Sequence, residues 1–200
     1  MNFEMLFATS NKHKLQEVRE ILSPHGIIVY GINDLNLSPR DVIEDGKDYF
    51  SNALIKAKAL QELTNMPIIS DDSGLEIVSL DNKPGLYSAR FASQCGGHTK
   101  AIEEILKQLK DKPNREAYFV CSICLLNVED KPLKFEARVK GNIANSPDGT
   151  SGFGYDPIFI EEKLNKTYGL MTKEEKNQHS HRAKALKKLI VYLKINHLIN

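Results

Sequence analysis

The feature that most constrains this chain is the alternation of two hydrophobic periods along its first half. Met5–Thr9 is a short apolar run that ends in turn formers and reads as a strand. Asn11–Leu22 then places Leu15, Val18 and Leu22 at helical spacing, and Pro24 with Gly26 stops the pattern. Ile27–Tyr30 is extended again. Tyr49–Leu63 is a longer helix with Phe50, Ala53, Leu54, Ala57 and Leu60 on one face. Ile68–Ser70 reads as a buried strand, and Leu75–Val78 as another. Strands that alternate with one-sided helices bury both faces only as a sheet flanked by helices, so the fold class is α/β.

The second half is more antiparallel in character. A helix over Thr99–Leu109 carries Ile102, Ile105, Leu106 and Leu109. Two strands follow, Glu116–Asn127 and Leu133–Gly141. In the second, Phe135, Ala137 and Val139 alternate with Lys134, Glu136, Arg138 and Lys140, the pattern of a half-exposed antiparallel strand. Asn142–Tyr155 is loop-like. Thr172-Lys-Glu-Glu175 is a capping-box pattern that opens a short helix. Ser180 can cap a last helix striped by Leu186, Leu189, Ile190 and Leu193. The expected architecture is a mixed sheet with a second lobe around residues 75–140 and no linear split, so residues 1–200 read as one domain.

Composition excludes several classes. The net charge is +1, from 27 Lys+Arg against 26 Asp+Glu, so no global field selects nucleic acid or a membrane surface. No apolar run reaches the ~18 residues of a membrane-spanning helix. The opening residues Met1–Thr9 contain Glu4 and predict a strand, not a signal peptide. Three cysteines make no disulfide framework, and a reducing cytoplasm is expected. Cys121 and Cys124 have C-x-x-C spacing, but three apart on a strand they face opposite ways, so both are expected in the core.

Five segments can carry chemistry. Phe7-Ala-Thr-Ser-Asn-Lys-His-Lys14 lies where a strand becomes a helix; unpaired N–H groups and two lysines suit a phosphate, and a plain helix cap also accounts for them. Ile69-Ser-Asp-Asp-Ser-Gly74 places two carboxylates at a strand end, able to hold a cation or take a proton from water, or else to form an Asp-Ser-Gly turn. Glu44 is a possible second metal ligand. Asn52 and Lys56 share one helix face, more often a solvated one. In Ser151-Gly-Phe-Gly-Tyr-Asp-Pro157, two glycines permit close approach, Phe153 and Tyr155 can stack on a base, and Asp156 can accept from ring N–H groups; a tight turn with an aromatic plug competes with that reading. Lys176-Asn-Gln-His-Ser-His-Arg182 suits polar recognition better than metal binding. Residues 161–200 hold nine Lys/Arg against four Asp/Glu, a local excess that could steer a polyphosphate.

Six segments occurring in order resemble the non-canonical purine NTP pyrophosphatase family, the inosine triphosphate pyrophosphatases or XTP/dITP diphosphatases. They are Ala8-Thr-Ser-Asn-Lys-His-Lys14, Asn52-Ala-Leu-Ile-Lys-Ala57, Asp71-Asp-Ser-Gly74, Pro84-Gly-Leu-Tyr-Ser-Ala-Arg90, Gly152-Phe-Gly-Tyr-Asp-Pro-Ile-Phe159 and Ser180-His-Arg-Ala-Lys-Ala-Leu186. The resemblance implies an elongated α/β fold: a mixed central sheet flanked by helices, in two lobes with a cleft between them. It implies a cytoplasmic homodimer that hydrolyses the α–β phosphate bond of ITP, dITP or XTP with Mg²⁺, releasing monophosphate and pyrophosphate. Neither nucleic acid nor a membrane is among the implied partners.

By the same resemblance, Thr9, Ser10, Asn11, Lys12, His13 and Lys14 bind the nucleotide, chiefly its phosphates, and Lys56 contacts phosphate. Glu44 and Asp72 are the Mg²⁺ carboxylates, and Asp72 is also the proton acceptor. Ser73, Phe153, Gly154, Tyr155, Asp156, Lys176, His181 and Arg182 match substrate-binding positions. Donors from His181 or Arg182 to O6 would favour hypoxanthine and xanthine over adenine, because a mismatched buried polar group costs ~1–3 kcal/mol. Two departures stand out: Ser10 where Gly is common, and Ser51 where Glu is frequent. A Maf-like pyrophosphatase shares the fold class, but Ser180-His-Arg182 argues against it. A nucleotide-binding module without turnover is opposed by the presence of both Glu44 and Asp72.

Overall fold

The structure, a computed structural model, describes residues 2–200; Met1, at the start of the segment read as the opening strand, lies outside them. The chain divides into two compact units, each assembled from separate stretches. Unit 1 takes residues up to Asp72, then Cys121–Ala137 and Arg182–Asn200, and unit 2 takes Ser73–Val120 and Arg138–His181.

Unit 1 contains β1 (Phe3–Phe7), α1 (Lys12–Leu22), β2 (Ile27–Gly31), α2 (Tyr49–Gln61) and the first half of β3 (Ile68–Ile77). Strand β1 pairs parallel to β2, with Met5 opposite Val29, and parallel to β3, with Leu6 opposite Ile68. The second half of β5 (Glu116–Leu126), the first half of β6 (Leu133–Ile143) and nearly all of α6 (His181–Ile195) complete it. Its strand order is β2-β1-β3-β5-β6.

The period of two along each strand sets the layers. Met5 and Phe7 pack with Val18 and Leu22 of α1 and with Leu186 and Leu189 of α6. Leu6 and Ala8 turn the other way, onto Ala53, Ala57 and Leu60 of α2. Unit 1 is therefore a helix–sheet–helix sandwich. The two cysteines of β5 obey the same rule: Cys121 joins the first core and Cys124 the second.

Unit 2 contains the second half of β3, β4 (Lys83–Pro84), α3 (Ser88–Cys95), α4 (His98–Gln108), β7 (Phe159–Glu161), β8 (Lys166–Thr167) and α5 (Lys173–His179), with the remaining halves of β5 and β6. Its pairings β3–β4, β6–β7 and β7–β8 are antiparallel, and the second agrees with the antiparallel reading of residues 133–141. Its core gathers Leu75 and Ile77 of β3, Ile102 and Ile105 of α4, Phe119 and Phe159. Helix α5 opens on the expected capping box, Thr172 Oγ1 accepting from Glu175 N and the Glu175 carboxylate from Thr172 N. The whole is an α/β fold with a mixed sheet flanked by helices.

Two local expectations fail. Residues 68–77 form one continuous strand, with no turn at Asp71–Gly74. Asp71 stays in the strand interior because its charge is neutralised there, as described below. Helix α3 is absent from the sequence reading; it is only eight residues long and stops at Gly96, which sits in the left-handed region at φ 84°. Burial pushes the Cys121 thiol up to about 12, and Cys124 is raised likewise, while Cys95 is half-buried. Since the thiolate is the reactive form, a thiol reagent should titrate Cys95 in the native protein, and Cys121 and Cys124 only after unfolding in denaturant. Rapid native labelling of all three would contradict the core assignment.

Candidate active site

The β1–α1 turn is built by its own side chains. Thr9 Oγ1 accepts from Asn11 N at 3.1 Å. Asn11 caps α1, its Oδ1 accepting from His13 N at 3.0 Å and Lys14 N at 3.2 Å. Helix N-termini favour acidic residues because the macrodipole is positive there. The first turn of α1 has none and carries Lys12 and Lys14 instead. An N-terminus of that kind leaves the attraction for an anion to an external group. Ser10, Lys12 and His13 are exposed, and Thr9, Asn11 and Lys14 are half-buried.

Around α2 and β3 the structure brings together three more of the expected residues. Lys56 Nζ lies 2.9 Å from Glu44 Oε2 and 3.9 Å from Asp72 Oδ1. Burial by itself would depress the Lys56 ammonium, but the carboxylates of Asp71, Asp72 and Glu44 overcome it and raise its pKa. Asp72 moves up, chiefly through burial, against the opposing pull of Lys56, Asn52 and Lys14. A carboxylate displaced in that direction is better suited to take a proton. Asn52 donates to Asp72 Oδ2 at 3.0 Å and is 3% exposed, so it is a buried partner of the site and not a solvated helix residue.

Asp71 plays a different part from its neighbour. Its carboxylate accepts from Lys14 Nζ at 3.0 Å, and from Arg182 Nε at 3.1 Å and Nη2 at 3.0 Å. Arg182 Nη1 continues to Glu17 Oε2 at 2.5 Å. Burial opposes the charge on Asp71, yet Lys14, Arg182 and Lys56 hold its carboxyl well below the usual carboxylate range. Burial likewise opposes the charge on Arg182, and Asp71 with Glu17 keeps it raised. With only 2% of its surface exposed, Arg182 is bound to a carboxylate pair of unit 1.

The remaining expected residues belong to unit 2. Asp156 Oδ2 accepts from Phe153 N at 2.8 Å and Lys176 Nζ at 2.6 Å, closing the Gly152–Asp156 turn on itself. Gly152 has φ +75°, and a Cβ there would fall 1.9 Å from Asp156 Oδ2, so the turn needs glycine. The Lys176 ammonium sits 4.7 Å from the Phe153 ring centre. Phe153, Gly154 and Ser73 are half-buried. Tyr155 is buried, its hydroxyl donating to Ser88 O at 2.8 Å, so its ring supports the loop from within. The His181 ring lies parallel to Phe119, with centroids 4.4 Å apart, and parallel to Tyr168 beyond.

Sequence reasoning missed the roles of Glu17 and Asp71, and left Asn52 between a site-facing and a solvated reading. Asn52 carried a faint signal, a polar residue directly beside the apolar positions Ala53 and Ala57. Glu17 carried none, because its partner Arg182 is 165 residues away.

Unit 1 is thus an α/β sandwich that carries an acid-free helix N-terminus and two carboxylates sharing one lysine. Residues 5–192 match the model of the Ham1 family, and the chain belongs to that family. A protein of Halalkalibacterium halodurans named dITP/XTP pyrophosphatase is 42% identical over 192 residues, covering 95% of this chain and 98% of its own. One of the same name from Treponema denticola is 38% identical over 195 residues, covering 96% and 98%. The solved Staphylococcus aureus Ham1 protein matches the fold with TM-score 0.84 at 37% identity, over 96% of this chain and 99% of that one.

Removing one partner of a buried ion pair leaves the other uncompensated, at about 3–5 kcal/mol. Asp71→Asn should therefore lower unfolding stability by that order in urea titration at pH 7. Asp71 has a depressed folded pKa, so its contribution is complete above about pH 4, the unfolded value, and is lost as pH falls toward the folded one. The wild-type advantage over Asp71→Asn should accordingly shrink on acidification. An advantage independent of pH would show that Asp71 is not the charged partner.

Proposed function

We propose that this chain is a nucleoside triphosphate pyrophosphatase that hydrolyses the α–β phosphate bond of non-canonical purine nucleotides, dITP, ITP and XTP, to the monophosphate and pyrophosphate. The observation that carries the reading is the Glu44–Lys56–Asp72 group beside the Asn11-capped helix, in a chain whose relatives are named dITP/XTP pyrophosphatases.

Mg²⁺ is the cofactor in this reading. Among the described residues no group of three or more His, Cys, Asp or Glu is arranged to hold a metal. Two carboxylates suffice for Mg²⁺, however, which takes one or two together with substrate phosphates and water. Glu44 and Asp72 both face the Lys56 ammonium, so hard oxygen donors already converge on a cation. When bound, the ion supplies neutralisation of phosphate charge. The chain's own groups do the rest. Water adds across the α–β anhydride, and Asp72 orients it and accepts its proton. Lys14 and Lys56 stabilise the charge that builds on the phosphates. Ser73, Phe153, Gly154, Asp156, Lys176 and His181 stand at the substrate-binding positions that the family resemblance implies, with Tyr155 supporting its loop. Arg182 acts on the site through Asp71.

The same reading includes a homodimer in the cytoplasm; no helix of the described residues is long and apolar enough to cross a membrane. Sedimentation at micromolar concentration tests the dimer.

Incubation with ITP, XTP, dITP, GTP and ATP, followed by product identification, tests the activity. Monophosphate plus pyrophosphate from the first three, little turnover of ATP, and none with EDTA is the expected outcome. Release of orthophosphate, or equal turnover of ATP, would refute it. Asp72→Asn keeps shape and removes the proton acceptor, so kcat should fall by about 10²–10⁴-fold. Wild-type kcat in that variant at saturating Mg²⁺ would remove Asp72 from its role.

A further inference from the structure

Asn52 does more than touch Asp72. Its side chain makes two hydrogen bonds of opposite sense: Oδ1 accepts from Gly46 N at 2.8 Å, and Nδ2 donates to Asp72 Oδ2 at 3.0 Å. Gly46 lies two residues beyond Glu44. One amide thus joins the segment bearing the first carboxylate to the second carboxylate itself. Both ends of this amide are specified. A carboxylate in its place could accept from Gly46 but not donate to Asp72, and an aliphatic side chain could do neither. Gly46 is equally constrained, since a Cβ there would lie 2.7 Å from Asn52 Oδ1 and 2.8 Å from Asn52 N. Asn52 is also one helical turn before Lys56, the lysine that both carboxylates face. The tether and the shared counter-charge therefore stand on the same side of α2.

We propose that Asn52 is a positioning residue: it holds Asp72 and the Glu44–Gly46 segment in the mutual arrangement that lets the two carboxylates take one divalent cation. This rests on the assignment of Glu44 and Asp72 as the metal carboxylates. Partners one step removed from a metal typically change its affinity by about 10–100-fold when lost.

The test uses Asn52→Leu, which keeps the branched heavy-atom shape and removes both hydrogen bonds, and Gly46→Ala, which presses on the tether while the asparagine itself is retained. Mn²⁺ binding is followed by electron paramagnetic resonance in the presence of saturating α,β-methylene inosine triphosphate. Both variants should bind Mn²⁺ about 10–100-fold more weakly. The Mg²⁺ concentration for half-maximal activity should rise in step, with KM for ITP at saturating Mg²⁺ little changed. A purely structural residue would lower the melting temperature without moving the Mn²⁺ affinity of the folded protein. Glu44→Gln and Asp72→Asn serve as controls. If these lose Mn²⁺ while Asn52→Leu and Gly46→Ala bind it like wild type, the tether is overturned and the carboxylate assignment stands. If the controls also bind Mn²⁺ like wild type, the assignment falls and the tether with it. Should Asn52→Leu not fold by circular dichroism, Gly46→Ala decides.

Discussion

A carboxylate in the interior of a sheet strand must find positive charge or destabilise the fold by several kcal/mol. Asp71 meets that requirement with two N–H donors of Arg182 on its Oδ2 and with Lys14 on its Oδ1, and Glu17 balances the far side of Arg182. Three elements far apart in sequence are thereby fixed to one oxygen pair: α1, β3 and the start of α6. Lys14, in the first turn of α1, is held by the same carboxylate. Hydrophobic contacts bring these elements near one another, but they do not choose one rotation of α1 or α6 over the next. Fork-shaped guanidinium bonds do, because their geometry is directional.

The neighbouring carboxylate is spared by the strand's period of two. Ile69 and Asp71 face the layer of α1 and α6, where Ile69 shares a core with Val18 and Leu186. Ile68, Ser70 and Asp72 face α2: Ile68 packs with Ala53, Ser70 donates to the Ala53 carbonyl, and Asp72 accepts from Asn52. Two adjacent and chemically identical residues are thus sorted to opposite sides of one sheet. One is saturated by cations and its pKa is lowered. The other keeps a lysine at 3.9 Å and an amide at 3.0 Å, and its pKa is raised. The local rule of pleating therefore separates the aspartate bound by Arg182 and Lys14 from the one that faces Asn52 and Lys56.

Much of this was legible in the sequence because it is local. Thr172-Lys-Glu-Glu175 as a capping box, the alternation of β6 and the opposed cysteines of β5 all follow from spacings of two to four residues. The assignment of Lys56, Glu44 and Asp72 to one site came from the resemblance, and the distances among them are consistent with it. What stayed hidden depends on contacts at long separation. The Asp71–Arg182 bonds span 111 residues and Glu17–Arg182 spans 165, so neither leaves a periodic trace. Asn52 was misplaced for another reason: helical spacing tells which residues share a face, but not whether a residue at the margin of the apolar stripe meets solvent or a buried partner. The break expected between Ser70 and Leu75 is absent because Lys14 and Arg182 let the Asp71 carboxylate remain in the strand.

The same ion network specifies strand register. A one-residue slip of β3 would exchange the faces of Asp71 and Asp72. Arg182 would then lose the carboxylate oxygen that its Nε and Nη2 share, and Asp71 would be turned toward Asn52 and Lys56. Apolar residues resist such a slip only weakly here, because Ile68 and Ile69 are nearly interchangeable between two buried faces. A buried guanidinium left without its carboxylate is not interchangeable with anything on the other side. The charge that complicates burial in β3 is therefore also what assigns each aspartate its side of the sheet.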